Sequence, residues 1–194
     1  MPKTIDAFSS NSLKILDKSL EDFKNKYIYK LSFFKKEERT VLGEKFHSLI
    51  CAYLNDIPTS KMLFDLDESE KNIWNKLQNY LKNKKDYFCY SEYPFLIKEK
   101  LKEKFYYLTG RIDAIFKEND FYTIYDWKTL NLPKNPKEDL QSVVYLYCAS
   151  KIFNTENIRL KYLSIEKLDF VEIKFNKQNN YKKRIDDIVE KYYF

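Results

Sequence analysis

The sequence predicts an α/β domain of three layers, with a central mixed sheet between layers of helices. The first third of the chain has apolar residues at helical spacing, whereas the middle has aromatic and β-branched runs that are typical of strands. Helical patterns return between and after the strands, which indicates helices on both faces of the sheet. The chain has 194 residues, 44% of them hydrophobic and 18% aromatic, which suits one domain with a core and argues against disorder.

Three helices are predicted within residues 1–84. In the first, Leu13, Leu16, Leu20, Phe23 and Tyr27 recur at helical spacing, and Ser9, Ser10 and Ser12 are candidate caps. The second is predicted from Glu38 to Leu54, and the third over about residues 70–81.

Residues 85–178 are predicted to form the sheet and one further helix. Lys117–Asp120 is typical of a tight turn and joins the second and third strands into a hairpin. An amphipathic helix is predicted in residues 179–194, and no repeat or linker interrupts the chain, so we expect one domain over residues 1–194. The predicted strands are 87–97, 105–116, 121–129, 158–165 and 170–175, and the predicted helix is 140–153.

Charge and cysteine content limit the classes of function. The formal net charge of +6 suits a polyanionic partner, but of the 35 basic residues only four are Arg, and the Lys residues are spread along the whole chain. The three cysteines are far apart and form no Cys-x-x-Cys pair, so we expect buried free thiols and neither a disulfide framework nor a structural zinc. The chain has no span of membrane length and no apolar signal core among its first residues, so a cytoplasmic protein without membrane contact is expected.

The predicted hairpin brings three charged residues to one face. Asp126 and Lys128 are two apart on a strand, so both point to the same side, together with apolar neighbours. A two-residue turn at Glu118–Asn119 would set Asp113 opposite Ile124, and one at Asn119–Asp120 would set it opposite Asp126. Both put Asp113 on the face of Asp126, whereas a three-residue loop would reverse it.

Two converging carboxylates repel each other unless a cation joins them. Oxygen ligands of this kind suit Mg²⁺ or Mn²⁺, and such an ion can polarise a phosphoryl oxygen and lower the pKa of a bound water. A neighbouring Lys can orient that water or neutralise developing charge. The simpler alternative is a surface Asp–Lys cross-strand pair, which is common and nearly neutral in energy.

The only two glycines both stand beside polar candidates. Gly110 precedes Asp113, and Gly43 lies four residues before His47, the sole histidine, on one helix face. In a chain so poor in glycine, each is expected to mark a backbone position where a side chain does not fit. The alternative for His47 is an ordinary core or surface histidine.

Three further polar residues are weaker candidates. Glu92 lies on a strand among apolar neighbours and is either an additional acidic site residue or a solvent-facing group near Pro94. Gln141 and Tyr145 are four apart on the helix after the Asp126 strand, and they form either a polar strip that faces a substrate or an ordinary surface pair.

In this order the motifs resemble those of the PD-(D/E)XK nuclease superfamily, specifically its RecB-like exonuclease branch. The opening segment Phe8-Ser9-Ser10-Asn11-Ser12-Leu13 also resembles that branch, and the likeness extends to mitochondrial genome-maintenance exonucleases and CRISPR-associated RecB-like nucleases. The matching motifs are Gly43-x-x-x-His47, Ser91-Glu92-Tyr93-Pro94-Phe95, Gly110-Arg111-Ile112-Asp113, Tyr125-Asp126-Trp127-Lys128-Thr129 and Gln141-x-x-x-Tyr145.

The resemblance implies a restriction-endonuclease-like fold and a role for each motif. His47, Asp113, Asp126 and the backbone carbonyl of Trp127 would hold Mg²⁺ or Mn²⁺, and Lys128 would assist the attacking water. Glu92 would lie at the site edge, where it could serve a second ion, and Gln141 and Tyr145 would contact the DNA strand.

One departure concerns the iron–sulfur cluster that many relatives hold with one early and three late cysteines. Ser19 stands at the early position and no cysteine follows Cys148, so no such cluster is expected. The implied activity is metal-dependent hydrolysis of DNA, by an exonuclease acting on single-stranded ends in repair, recombination or defence. The alternatives are a non-catalytic nucleic-acid-binding module on the same fold and a restriction-like endonuclease.

Overall fold

The computed structural model describes residues 5–31, 38–129 and 131–194. The predicted lack of an apolar signal core concerns the first residues of the chain, of which 1–4 lie outside these ranges. Six strands in the described ranges form one mixed sheet of order β1-β3-β4-β5-β6, with β2 paired to the other edge of β3. The strands are β1 (Ala7–Phe8), β2 (Phe88–Leu101), β3 (Lys104–Glu118), β4 (Phe121–Lys128), β5 (Ile158–Ser164) and β6 (Phe170–Lys174).

Helices cover both faces of this sheet, as the sequence predicts. One core cluster joins α1, α6 and α7 to the first face, and a second joins α3 and α5 to the opposite face. The expected three-layer α/β architecture is therefore confirmed. The helices are α1 (Ser10–Lys18), α2 (Leu20–Phe23), α3 (Glu38–Leu54), α4 (Ser60–Phe64), α5 (Glu68–Lys82), α6 (Leu140–Ile152) and α7 (Tyr181–Tyr193), with a π-helix at Lys24–Ile28 and 3₁₀ turns at Lys85–Tyr87 and Lys177–Asn179.

The first predicted helix is interrupted at Ser19. Its backbone is extended there (φ −157°, ψ 117°), and its hydroxyl accepts a hydrogen bond from the N–H of Asp22 to begin α2. Ser19 therefore competes as an N-cap with continuation of α1, although the apolar spacing continues through it. Ser9 caps α1 in a capping box with Ser12, so one of the candidate caps is confirmed.

The candidate site lies where β1 and β4 separate along one edge of β3, and this gap is called the fork below. On one edge of β3, β1 pairs only with Tyr107 and Leu108, and β4 pairs only from Ala114 onward. No strand among the described residues pairs with residues 109–113 on that edge. The β3–β4 turn is Asn119–Asp120, with Asn119 at φ 54°, so the second of the two registers left open by the sequence is the one formed.

The cysteines differ in part from expectation. Cys148 is buried, and burial raises the pKa of its thiol, but Cys51 and Cys89 are only partly buried. Cys51 lies 3.3 Å from the hydroxyl of Ser91, so contact with a polar partner, rather than an apolar core, accounts for its position. None of the described helices is long and apolar enough to cross a membrane.

Candidate active site

Three side chains from three different elements converge at the fork. His47 on α3, Glu92 on β2 and Asp113 on β3 each offer one potential ligand atom, and these atoms lie within 4.8 Å of one another. Nε2 of His47 lies 3.0 Å from the backbone oxygen of Trp127. Because a carbonyl only accepts, Nε2 carries the proton of that hydrogen bond.

The other nitrogen of His47 points toward an acid. With Nε2 protonated, the Nδ1 of a neutral imidazole has a free lone pair, and it lies 3.5 Å from Oδ2 of Asp113. Two acceptors that face each other at this distance need a proton or a metal cation between them. The pair therefore has the chemistry of two ligands to one ion.

Asp113 is held where the β3–β4 ladder ends. The backbone N–H of Trp127 donates a hydrogen bond of 2.9 Å to Oδ2 of Asp113. Burial raises the pKa of Asp113 well above its usual range, and the negative charges of Asp126 and Glu92 raise it further. The Trp127 hydrogen bond and the charge of Lys128 oppose this rise without cancelling it.

Asp126, Lys128 and Gln141 form a connected polar group beside Asp113. Nζ of Lys128 lies 2.5 Å from Oδ2 of Asp126, and the amide of Gln141 donates a 2.6 Å hydrogen bond to Oδ1 of Asp126. Lys128 also donates to Oε1 of Gln141 at 3.2 Å. Oδ2 of Asp126 is buried and accepts no directed hydrogen bond from the described residues, so the ion pair leaves acceptor capacity for a cation.

Glu92 turns into the site through an unusual backbone. Its φ is 50°, a left-handed conformation that costs about 1–2 kcal/mol in a residue other than glycine. The flanking pairs Ser91–Ala114 and Tyr93–Ile112 set Glu92 across from Asp113 in the β2–β3 register. Of the two alternatives for Glu92, the geometry favours the additional acidic site residue.

Arg111 is a site residue that the sequence analysis did not single out. Its Nε lies 2.6 Å from Oε2 of Glu92, while 68% of its side chain is exposed. The spacing two residues before Asp113 places Arg111 near the fork, but only the β2–β3 register links it to Glu92.

The two glycines differ in what they allow. A Cβ at Gly110 would lie 2.6 Å from the ring of Phe95, which packs edge-on against Tyr145 at a centroid distance of 5.9 Å. A Cβ at Gly43 would lie 3.3 Å from Oγ1 of Thr129, which is a tight contact rather than a clash. The expectation that a side chain does not fit is therefore confirmed for Gly110 and is weaker for Gly43, and no positive φ is involved at either.

Gln141 and Tyr145 are engaged inside the protein. Gln141 contacts Asp126 and Lys128, and the hydroxyl of Tyr145 donates a 2.8 Å hydrogen bond to the backbone oxygen of Arg111. Burial raises the pKa of Tyr145, so its hydroxyl stays protonated. These contacts position the site, and a contact with DNA stays a prediction for both residues.

An open recess adjoins the C-terminal end of β4. Its volume is about 540 Å³, and it contains two lysines and several hydrogen-bonding groups next to the Lys128 strand. The two lysines of its lining are matched by two acids, Glu166 and Asp169. The residues that line it are Leu42, Thr129, Asn131, Leu132, Lys134, Ser164, Glu166, Lys167 and Asp169.

The donor set fits a hard divalent cation. One imidazole nitrogen, several carboxylates and a backbone oxygen meet in a partly buried place, where burial and then the neighbouring negative charges raise the pKa of Asp113. The tight cluster contains His47 and Asp113 from the expected ligand set, with the Trp127 carbonyl beside His47. It also contains Glu92, whereas Asp126 lies with Lys128 and Gln141.

Comparisons with known proteins agree with this arrangement. A family model described as the PD-(D/E)XK nuclease superfamily matches residues 7–192. The crystal structure of SSO0001 is similar in fold, with a TM-score of 0.53 and 17% sequence identity, over 98% of this chain and 77% of that chain. At this identity the likeness concerns the fold alone. No match was found among curated protein sequences.

Proposed function

The chain belongs to the PD-(D/E)XK nuclease superfamily, and from this premise we propose that it is an exonuclease that hydrolyses DNA from single-stranded ends with Mg²⁺ or Mn²⁺. The observation that carries the hydrolytic part is the convergence of His47, Glu92 and Asp113 beside an Asp126–Lys128 ion pair. A purely structural ion-pair network would balance its charges, whereas burial and the charges of Asp126 and Glu92 here raise the pKa of Asp113.

Each residue has a role in the proposed reaction. His47, Asp113, Asp126 and the Trp127 carbonyl would hold the cation, with Glu92 as a further ligand at the edge. A divalent ion bound there would polarise a phosphoryl oxygen and acidify a bound water. Lys128, fixed between Asp126 and Gln141, would orient the attacking water and neutralise negative charge that develops at the phosphate.

The substrate preference and the biological role in this proposal are supported by the sequence motifs. The preference for single-stranded DNA ends, and a role in repair, recombination or defence, follow from the likeness of the ordered motifs to the RecB-like branch. In this proposal the recess beside Thr129, at the C-terminal end of β4, would hold a nucleotide of the bound strand.

Three DNA substrates test the proposal in the presence of Mn²⁺ or Mg²⁺: a linear single strand, a linear duplex and a circular single strand. We expect degradation of the linear single strand, an intact circle, and no cleavage when EDTA removes the metal. Asp126→Ala and Lys128→Ala should abolish cleavage, whereas Lys76→Ala, at an exposed position on α5, should not.

The other results have definite meanings. Opening of the circle by the purified wild type would assign an endonuclease instead. If neither metal supports cleavage of any substrate while DNA is still bound, and Asp126→Ala does not alter that binding, the protein is a non-catalytic nucleic-acid-binding module.

A further inference from the structure

The outer face of the β2–β3 ribbon extends from the candidate site to the far hairpin. Between these ends, alternate residues of the two strands form four cross-strand pairs with outward side chains. The pairs are Pro94–Arg111, Leu96–Thr109, Lys98–Tyr107 and Lys100–Phe105.

The inward and outward faces of this ribbon differ in solvent exposure. The inward residues Phe95, Tyr106 and Leu108 are buried in the core, whereas Leu96 is 63% exposed and Phe105 is 49% exposed. On the outer side, the core cluster of α3 and α5 includes Ala114 and Phe116 but none of the eight paired residues. Among the residues that the structure describes, this sheet face is therefore open from Arg111, beside Glu92, and continues away from the site.

The chemistry of this face is cationic and aromatic. None of the eight residues is acidic, and the buried Glu99 points inward to Tyr147 and Lys151. Nζ of Lys98 lies 4.1 Å from the centroid of the Phe105 ring, and that of Lys100 lies 6.0 Å from it. Within the described ranges, neither of these ammonium groups has a carboxylate partner.

We propose, on the basis of the nuclease function proposed above, that this face is a track for single-stranded nucleic acid leading to the catalytic centre. Arg111, Lys98 and Lys100 contact successive phosphates, and Phe105 and Tyr107 stack on bases. The exposed ring of Phe105 and the half-buried ring of Tyr107 lie among cations and select single strands, because a duplex hides the faces of its bases. The seven residues from Pro94 to Lys100 span about 20 Å, which corresponds to roughly six stacked nucleotides.

Charge argues for this occupant over a protein strand. β2 has one partner strand within the described ranges and so has an edge on which another chain could pair. Lys98 and Lys100 place positive charge along this edge, and lysine is a residue that blocks edge pairing. The same charges attract a polyanion.

Binding without metal tests the track independently of cleavage. Fluorescence anisotropy with the wild-type protein in EDTA would measure the affinity for labelled DNA strands of 4 and 10 nucleotides, a 10-nucleotide RNA and a 10-base-pair duplex. We expect the 10-nucleotide DNA to bind at least about tenfold more tightly than either the duplex or the 4-nucleotide strand. Tight binding of the RNA as well would mean that the track does not select the sugar.

Two variants locate the binding on this face. Lys98→Ala with Lys100→Ala should weaken strand binding at least about tenfold and should lower the slope of log affinity against log salt by about 1.4, since two phosphate contacts are lost. Phe105→Ala should weaken binding about tenfold and Phe105→Tyr should restore it, because the stacking ring returns. The matched control is Lys76→Ala with Lys82→Ala on α5, which removes the same charge and should leave affinity within about twofold.

The results separate the two proposals. The track proposal would be overturned if the α5 control lost as much affinity for the single strand as the Lys98/Lys100 variant does. It would also be overturned if the wild type bound duplex and single strand equally well. Sedimentation would show whether the wild type self-associates. If it does, and if Lys98→Glu abolishes that association, the face would be assigned to a second copy instead. Binding of the single strand without cleavage would support the track and count against the nuclease. Cleavage with metal, but no binding of the single strand in EDTA, would support the nuclease and count against the track.

Discussion

Asp113 and Glu118 lie five residues apart on β3, yet their surroundings shift the pKa values of the two carboxylates in opposite directions. Burial raises the pKa of Glu118, but hydrogen bonds from Lys84 and Thr123 and the charge of Lys84 outweigh it, so the net pKa is lowered. Nζ of Lys84 lies 2.5 Å from Oε1 of Glu118, and the hydroxyl of Thr123 donates at 2.7 Å. Burial raises the pKa of Asp113 as well, its acidic neighbours raise it further, and its one backbone donor does not offset them.

This difference in pKa distinguishes a carboxylate that stabilises the fold, Glu118, from one whose surroundings suit a bound cation, Asp113. The fold supplies Glu118 with a cation and a hydroxyl donor, so its charge contributes to stability. At Asp113 the fold gathers further carboxylates instead, and in the absence of metal this arrangement costs free energy. Such a cost is typical of functional sites, where the ligand restores the balance.

The largest expected effect is that of Asp113→Asn. The amide keeps the shape of the side chain but removes the charge, so cleavage should fall about 10³-fold or more while the metal-free protein becomes more stable by about 1–2 kcal/mol. DNA cleavage assays and thermal unfolding in EDTA measure the two changes. A variant that is less stable and still active would remove the contrast between Asp113 and Glu118.

Metal binding supplies the control for this variant. Mn²⁺ at about 100 times its Kd should stabilise the wild type by about 2.7 kcal/mol, and should add little to Asp113→Asn. Glu118→Gln should retain the full gain, because Glu118 lies outside the proposed ligand set. Equal gains in both variants would place the metal elsewhere.

Glu118→Gln should have the second-largest effect, on stability alone. The amide cannot balance Lys84, so we expect a loss of about 2 kcal/mol and a Tm lower by about 4–8 °C. Cleavage should stay within about twofold of the wild type.

The pH dependence of this loss has a defined sign. Because the pKa of Glu118 is lowered on folding, its stabilising effect is complete above the ordinary value of 4.5 and is lost as the pH falls through the folded-state value. The stability gap between wild type and Glu118→Gln should therefore be widest at neutral pH and close in acid. A gap that widens in acid would contradict the assignment. Urea unfolding at several pH values measures it.

The sequence predicted the β3–β4 hairpin and the two registers that it could adopt, because strand patterns and turn parity are local properties. The turn at Asn119–Asp120 decided between two registers that the sequence allowed equally. The bounds of α3 were also predicted, since its apolar pattern and its length agree.

Other features depended on contacts that no local pattern contains. Glu92 leaves the ordinary strand conformation at φ 50°, so alternation could not predict where its carboxylate points. Its ion pair with Arg111 follows from the β2–β3 register. β1 has only two residues, too few for any periodicity, and Ser19 breaks a helix through its hydroxyl while the apolar spacing continues.

The smallest effects should come from a matched pair of tyrosines, Tyr145→Phe near Asp113 and Tyr125→Phe near Glu118. The Tyr145 hydroxyl donates to the backbone oxygen of Arg111 at 2.8 Å, so its removal leaves a carbonyl at the fork without that partner. We expect kcat to fall about three- to tenfold with a stability loss of about 1 kcal/mol. The Tyr125 hydroxyl lies 3.1 Å from that of Tyr80 and 3.5 Å from Glu118, so Tyr125→Phe should cost about as much stability and leave kcat unchanged. Equal loss of kcat in both would mean that the hydroxyls act through general stability, whereas loss in Tyr145→Phe alone would show that catalysis depends on the rigidity of the fork.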